Sequence, residues 1–220
     1  MMKKIKALAF SAILAFSSTS IAHAVSLDSF AIGVTGSYGA FEATGTETVN
    51  GAKQTDTGEL EVTFGSIFAE VDAGPIVIGI DVIPAEVESA AVNSERVEDV
   101  GSSSSTVSNS AFVNIADHIT GYVVLPIADT GLFIRAGYSS MDVQTKENLG
   151  TGGTYPDVDI EGYHAGVGLE IDVDSNVFIR AALNYHDYEE VKVTNQQNSD
   201  ITIEADLDGY SGSFSIARRF

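Results

Sequence analysis

The chain has 220 residues, 44% of them hydrophobic, with 21 glycines and neither cysteine nor tryptophan. Its formal net charge of −20 argues against a nucleic-acid partner. Because disulfides are excluded, an exported fold of this size would need a closed network of backbone hydrogen bonds for its stability.

The N-terminal segment predicts export. Basic residues up to Lys6 precede the apolar run 7–16, and a small-x-small cleavage site ends at Ala24. The apolar run is shorter than the roughly 20 residues that a membrane-spanning helix needs. We therefore expect a signal peptide over residues 1–24 and a single mature domain over residues 25–220.

Eight segments with alternating side chains follow. Each places large apolar residues on one parity and small or polar residues on the other; in the first, Ile32, Val34 and Tyr38 oppose Ser37 and Gly39. A repeated period of two over segments of this length is typical of transmembrane β-barrels. The predicted fold is therefore all-β, an eight-stranded antiparallel up-and-down transmembrane β-barrel. The segments lie near residues 30–39, 59–72, 76–85, 111–125, 132–139, 162–171, 177–186 and 207–220.

In each segment the large apolar parity is expected to face the lipid, and one segment raises a question. In the second, Leu60, Val62, Phe64 and Phe68 share one parity, so these side chains are expected on the apolar, lipid-facing side. In the fourth, Asp117 shares the parity of the apolar residues around it and would face lipid near mid-height. Because a carboxylate is costly there, we expect a bulge or a shifted register in this strand.

The connections alternate in length. Three short turns, near 72–75, 126–131 and 172–176, separate four longer polar connections. Outer-membrane barrels have this alternation, with short periplasmic turns and long external loops, and both termini would then be periplasmic. The acidic side chains of the loops could bridge divalent cations to lipopolysaccharide, or they could simply keep the loops solvated. The external loops are expected near residues 43–58, 86–110, 143–161 and 189–206.

Charged side chains are predicted inside the barrel. Arg135, Glu170 and Arg180 lie close to the short turns on neighbouring strands, and Asp81 could join them across the barrel. An eight-stranded barrel is just wide enough for side chains to fill it, and a buried charge needs a partner. We therefore expect a luminal salt-bridge network that plugs the barrel. The alternative is a gate that opens to pass small solutes.

Three histidines, His118, His164 and His186, are also expected in the lumen, farther from the short turns. Imidazole is a common metal ligand. However, these residues come from separate strands and have no paired spacing, which favours luminal hydrogen bonding over a metal site. We predict no metal, no cofactor and no catalytic residue, since the chain has no GxSxG or comparable context. A membrane-embedded lipid A hydrolase or acyltransferase is the enzymatic alternative.

The last segment resembles the C-terminal assembly signal of outer-membrane barrels. With the signal peptide and the Gly-Tyr pairs at 121–122 and 137–138, the mature chain resembles by pattern the small barrels of the OmpA transmembrane domain, OmpX and opacity-protein type. The resemblance implies insertion into the outer membrane by the barrel-assembly machinery, in contact with the bilayer and lipopolysaccharide. Arg218 departs from the apolar pattern and is tolerable at the periplasmic rim. The residues that carry the signal share one parity and are Tyr210, Phe214, Ile216 and Phe220.

A barrel of this family has no single function. The leading hypothesis is a non-enzymatic outer-membrane protein with a plugged polar lumen and long acidic external loops, acting as a structural or surface-interaction protein. One alternative is a narrow channel for small or hydrophobic solutes. Another is a soluble periplasmic lipocalin-like binding protein, which would bury the Ile/Leu/Phe face inside the barrel.

Overall fold

The computed structural model describes residues 30–88, 92–100, 103–149 and 154–220; of these, the side chains of 92–100, 103–113 and 145–149 are left undescribed. The expected signal peptide, 1–24, lies outside the described residues. The strands are β1 (Phe30–Val49), β2 (Ala52–Asp72), β3 (Val77–Val82), β4 (Val87–Glu88), β5 (Val92–Val100), β6 (Ser103–Pro126), β7 (Leu132–Leu149), β8 (Val158–Asp172), β9 (Val177–Thr194) and β10 (Ile201–Arg219).

Within the described residues, eight strands form a closed antiparallel ring in the order β3-β2-β1-β10-β9-β8-β7-β6, and the pairing of β3 with β6 closes it. The short β4 and β5 extend the same wall by pairing with β6. Closure gives most backbone polar groups a partner within the sheet, which is what a hydrocarbon environment requires of a spanning β-structure. The predicted eight-stranded antiparallel barrel is confirmed.

The two ends of the barrel differ. Three short connections, which contain residues 73–76, 127–131 and 173–176, lie at one end, here called the short-turn end. Both ends of the barrel sequence meet there, since the Phe220 amide donates to the Phe30 carbonyl at 2.8 Å. The opposite end carries the long strand extensions and is here called the hairpin end.

The strands run farther than predicted, into the segments that were expected as long external connections. β1 and β2 stay paired up to Val49 and Ala52, joined by Asn50 (φ 50°) and Gly51 (φ 84°). An Asn-Gly pair with two positive φ angles is the preferred two-residue hairpin turn. Cross-strand threonine pairs support the extension; the hydroxyls of Thr46 and Thr55 are 2.9 Å apart.

The outside of the barrel is apolar between the two ends. Leu183, for example, is 69% exposed. No helix among the described residues is long and apolar enough to cross a membrane. The lipocalin-like alternative is wrong, because it requires the large apolar side chains to point inward. The exposed side chains include Ile32, Val34, Ile67, Val82, Val123, Leu125, Leu132, Ile134, Val167, Leu169, Leu183, Phe214 and Ile216.

Tyrosines border this apolar band on the side of the hairpin end. The rings of Tyr138 and Tyr163 pack edge to face with centroids 4.9 Å apart, and the Tyr185 hydroxyl donates to Asp208 at 3.0 Å. Tyr210 is ten residues from the terminal Phe220, which at a rise of about 3.3 Å and a tilt of about 40° spans roughly 25 Å. An apolar band of about this height between aromatic girdles is typical of outer-membrane barrels.

The predicted orientation of β2 is wrong. Ile67 points outward and is half exposed, whereas Ser66, Phe68 and Glu70 are buried in the lumen. A strand has only two faces, so a shift of one residue exchanges them completely. Glu70 lies on the same face of β2 as Leu60, Val62, Phe64 and Phe68. If that face pointed outward, the carboxylate of Glu70 would lie in lipid.

The expected irregularity in the fourth segment is confirmed. Asp117 has a φ of 50°, and the register between β6 and β7 shifts between Ala116 and Ile119. A bulge adds one residue to its strand and changes the direction of the side chains beyond it. His118, next to Asp117, consequently lines the lumen.

The wall is weakest between β2 and β3. These strands pair only over Ile67–Asp72 and Val77–Val82. Toward the hairpin end, residues 52–66 of β2 pair with β1 but with no other described strand. Pro84 follows β3 and has no amide hydrogen to continue a ladder. We call this interruption the β2–β3 seam.

Candidate functional site in the barrel lumen

A buried ion-pair network spans the lumen near the short-turn end. The guanidinium of Arg180 donates to both carboxylate oxygens of Glu70, at 2.6 and 3.1 Å, and to Glu170 at 2.6 Å. Arg180 and Glu70 are only 5% and 3% exposed. A two-pronged guanidinium–carboxylate pair is among the strongest polar contacts in proteins. The network therefore fixes the positions of side chains from β2, β8 and β9 across the lumen.

Three further residues extend this network. Arg219 donates to Glu170 at 2.5 Å and to Asp172 at the barrel end. The Tyr122 hydroxyl donates to Glu70 at 2.8 Å. Glu170 thus lies between two guanidinium groups, which compensates the cost of placing its charge inside the barrel. We call Glu70, Tyr122, Glu170, Asp172, Arg180 and Arg219 the plug.

Aromatic rings fill the space around the plug. Phe178 is 1% exposed, and the guanidinium carbon of Arg180 lies 5.1 Å from the centroids of Phe178 and Phe133. Glycine on the adjacent strand makes room for a further ring, that of Tyr122. A Cβ added at Gly79 would lie 2.3 Å from the Tyr122 ring. Aromatic rings thus pack around the plug, and a small cavity of about 260 Å³, counting the part open to solvent, remains beside Glu70, Arg180 and Arg219.

Of the four charged residues expected in one luminal network, the structure brings only two together. Arg180 and Glu170 are paired, but Arg135 and Asp81 lie outside the plug. Asp81 accepts a hydrogen bond from Ser66 at 2.8 Å. The guanidinium carbon of Arg135 lies 3.7 Å from the centroid of the Tyr122 ring, a cation–π contact.

Sequence reasoning missed Glu70, Arg219 and Asp172. A usable signal for Glu70 was present: it shares the parity of Phe68, and an acidic residue within a spanning strand marks the luminal face. Arg219 could not be recognised in this way, because it lies at the rim, where either face tolerates charge.

The three histidines lie together above the plug. The ring centroids of His164 and His186 are 5.6 Å apart, and His186 Nε2 lies 2.8 Å from the Ser211 hydroxyl. His118 lines the same cavity. The described residues contain no group of three His, Cys, Asp or Glu side chains arranged to hold a metal ion.

A cavity of about 850 Å³, counting the part open to solvent, occupies the hairpin half of the lumen. Arg135, His164 and Asn184 lie at its polar floor, next to the plug. Its walls above the floor are mainly apolar and reach the β2–β3 seam at Phe64 and Ile83. The lumen is thus divided into a packed half and a hollow half.

No family profile and no curated protein matches the sequence. Among solved structures, the outer membrane protein OprG from Pseudomonas aeruginosa is similar with a TM-score of 0.51 and 9% identity, over 88% of this chain and 97% of that chain. Neisserial surface protein A matches with a TM-score of 0.38 and 11% identity, over 89% of this chain and 99% of that chain. The likeness to OprG shows that the chain has the fold of an outer-membrane β-barrel. An outer-membrane location follows from this fold and from the apolar band.

Proposed function

We propose that the chain is a non-enzymatic outer-membrane protein whose lumen is closed in its short-turn half, which faces the periplasm, and is hollow in its external half. The observation that carries this proposal is the pairing of Arg180 with Glu70 across the lumen and with Glu170 on the adjacent strand. Because the Arg180–Glu70 ion pair spans the lumen and aromatic rings surround it, we infer that ions do not pass. The protein then acts at the cell surface, as a structural or binding element.

The remaining expected contacts support this placement. Tyr210, Phe214, Ile216 and Phe220 all point outward on β10, as an assembly signal read by the barrel-assembly machinery would require. The paired strands of the hairpin end carry acidic side chains, which in this proposal lie next to lipopolysaccharide. We propose that they keep this surface hydrated and that bound divalent cations, where present, bridge it to lipid phosphates.

Conductance across a planar bilayer tests the closed lumen. The wild-type protein is expected to give no conductance steps. Replacing both Glu70 and Arg180 by alanine removes the centre of the plug without leaving one buried charge unpaired, so steps should appear. The matched control replaces Lys192 and Glu204, an exposed ion pair of 2.5 Å in the hairpin extension, and should stay silent. Ohmic steps in the wild-type protein would contradict the proposal.

One observation favours a second candidate, a narrow channel for small hydrophobic solutes. The cavity reaches the β2–β3 seam through Leu60, Val62 and Phe64 of β2 and Ile83 beyond β3. An apolar solute entering from outside could leave sideways into the bilayer there, without crossing the plug. This function predicts that the protein accelerates transfer of a small apolar dye from water into vesicle lipid while ions remain excluded. The leading proposal predicts no acceleration.

A further inference from the structure

The external cavity has a floor of buried polar atoms that lack partners. Arg135 Nε, His118 Nδ1, both ring nitrogens of His164 and Asn184 Oδ1 have no hydrogen-bond partner among the described residues. All four side chains line this cavity, and His164 is 5% exposed. Buried polar atoms in native proteins are nearly always hydrogen-bonded, so a cluster of exceptions calls for an explanation. A ligand seated on the floor supplies one.

The charge of the floor selects the ligand's head group. Arg135 carries a full positive charge, and no carboxylate of the described residues lies within ion-pair distance of it. Asp81 also lines the cavity; it accepts a hydrogen bond from the Ser66 hydroxyl at 2.8 Å and attracts Arg135 electrostatically without forming an ion pair with it. The Tyr122 ring covers one face of the guanidinium and leaves its edge free. A planar anion that accepts hydrogen bonds fits this edge, as a carboxylate does.

The cavity walls select an apolar tail. The lining above the floor is mainly apolar, so an aliphatic chain lying along it would be partly removed from water. The apolar side chains that line the cavity include Phe41, Leu60, Val62, Phe64, Ile83, Ile115, Met141 and Leu207.

We propose that this cavity binds a medium-chain carboxylate, with its head group on Arg135 and His164 and its aliphatic chain along β2 and β7. The proposal rests on the proposed function, because a closed plug gives the cavity its floor. It assigns to the three histidines a role in holding the ligand rather than a metal ion. Asn184, whose amide can be oriented either way, completes the polar ring around the head group.

Photolabelling tests the site directly. The full protein in phospholipid nanodiscs is irradiated with a ten-carbon carboxylic acid that carries a diazirine at its chain end, and labelled residues are mapped by mass spectrometry. We expect labels on wall residues such as Phe64 and Met141. Decanoate should compete for these labels, whereas decyltrimethylammonium, with the same chain and the opposite charge, should not.

Substitution of the head-group contact provides the second readout. Arg135→Gln should lower labelling of the cavity about tenfold, the effect of losing one charge-assisted hydrogen bond. Arg218→Gln removes an outward-facing guanidinium and should change nothing. The heat-modifiable gel shift reports whether each variant is folded. The comparison of the two competitors uses the wild-type protein and stands even if Arg135→Gln fails to fold.

Labels restricted to lipid-facing residues such as Leu183 and Phe214 would overturn the proposal, since they would report only partition of the probe into lipid. Equal competition by the acid and the cation would overturn the role of Arg135. Neither result depends on ion flow. A conducting wild-type protein that still binds decanoate would refute the closed plug and leave the carboxylate site standing.

Discussion

At the residue scale, the plug illustrates how a narrow barrel accommodates charge. Arg180 is buried and donates to two carboxylates, and Glu170 accepts from two guanidinium groups. Each ion therefore has more than one partner, which offsets the free-energy cost of removing it from water. The charge of Arg135 is accommodated differently, because the Tyr122 ring lies below its guanidinium and an open cavity lies above it.

The glycine facing Tyr122 provides a residue-scale prediction. Gly79→Ala should lower the free energy of unfolding by about 1–3 kcal/mol, the usual cost of overpacking. The added Cβ would lie 2.3 Å from a ring that cannot move away, because Tyr122 is bonded to Glu70 and covered by Arg135. Urea titration of the protein in phospholipid vesicles measures the change.

Gly121 is the matched control for this substitution. It lies beside Tyr122 on β6 but faces outward, and a Cβ there would meet nothing within 4 Å. Gly121→Ala should therefore be neutral or slightly stabilising, since it reduces the entropy of the unfolded chain. Equal losses in the two variants would show that the lumen around Tyr122 is not packed.

At the scale of strands, the sequence indicates where each element lies better than which way it faces. Alternation indicates the eight wall strands; Pro and Gly indicate the first two short turns, and the run of Asp, Ser and Asn over 172–176 indicates the third. Alternation alone cannot distinguish lumen from lipid when both faces of a strand carry bulky side chains, as in β2, where Phe64 and Phe68 point inward and Ile67 outward. The hairpin extensions were missed because polar composition was given more weight than the Asn50-Gly51 turn and the threonine pairs.

The site was less predictable than the fold for a related reason. Parity predicts that Arg135 and Arg180 face the lumen. Which carboxylate each guanidinium contacts depends on the height of both side chains along the barrel axis and on the distance across the barrel, and the sequence of one strand does not encode either. Arg180 finds Glu70, 110 residues away in sequence. The cavity depends on where large and small side chains from all the strands meet, so it becomes visible only in three dimensions.

The orientation of β2 can be measured with single cysteines, because the chain has none of its own. Ile67→Cys and Ser66→Cys, labelled with an environment-sensitive fluorophore, should differ sharply. The fluorophore at position 67 should be quenched by quenchers attached to lipid. The cysteine at position 66 should react slowly with the fluorophore, and the fluorescence of its label should not be quenched by them. The reverse pattern would restore the orientation expected from sequence. Phe214→Cys, on the outward face of β10, serves as the lipid-exposed reference.

At the scale of the whole molecule, packing is distributed unevenly along the barrel axis. The short-turn half contains the plug, the buried aromatic rings and the ends of the fully paired strands. The hairpin half contains the cavity, the β2–β3 seam and the strand extensions. Packed side chains at one end and open space at the other suit the proposed function, in which the hairpin end presents a binding surface outward and the plug closes the lumen.

The height of the apolar band predicts how the whole barrel responds to its membrane. The free energy of unfolding should be greatest in vesicles with a hydrocarbon thickness of about 25 Å and should fall by a fraction of a kcal/mol per Å in thicker bilayers. Mismatch would draw the girdle tyrosines away from the interface, where their hydroxyls meet water and carboxylates such as Asp208. Replacing Tyr138 and Tyr163 by alanine should flatten this dependence, because the girdle then no longer fixes the position of the interface. A wild-type stability independent of bilayer thickness would mean that the band does not set the depth of the barrel.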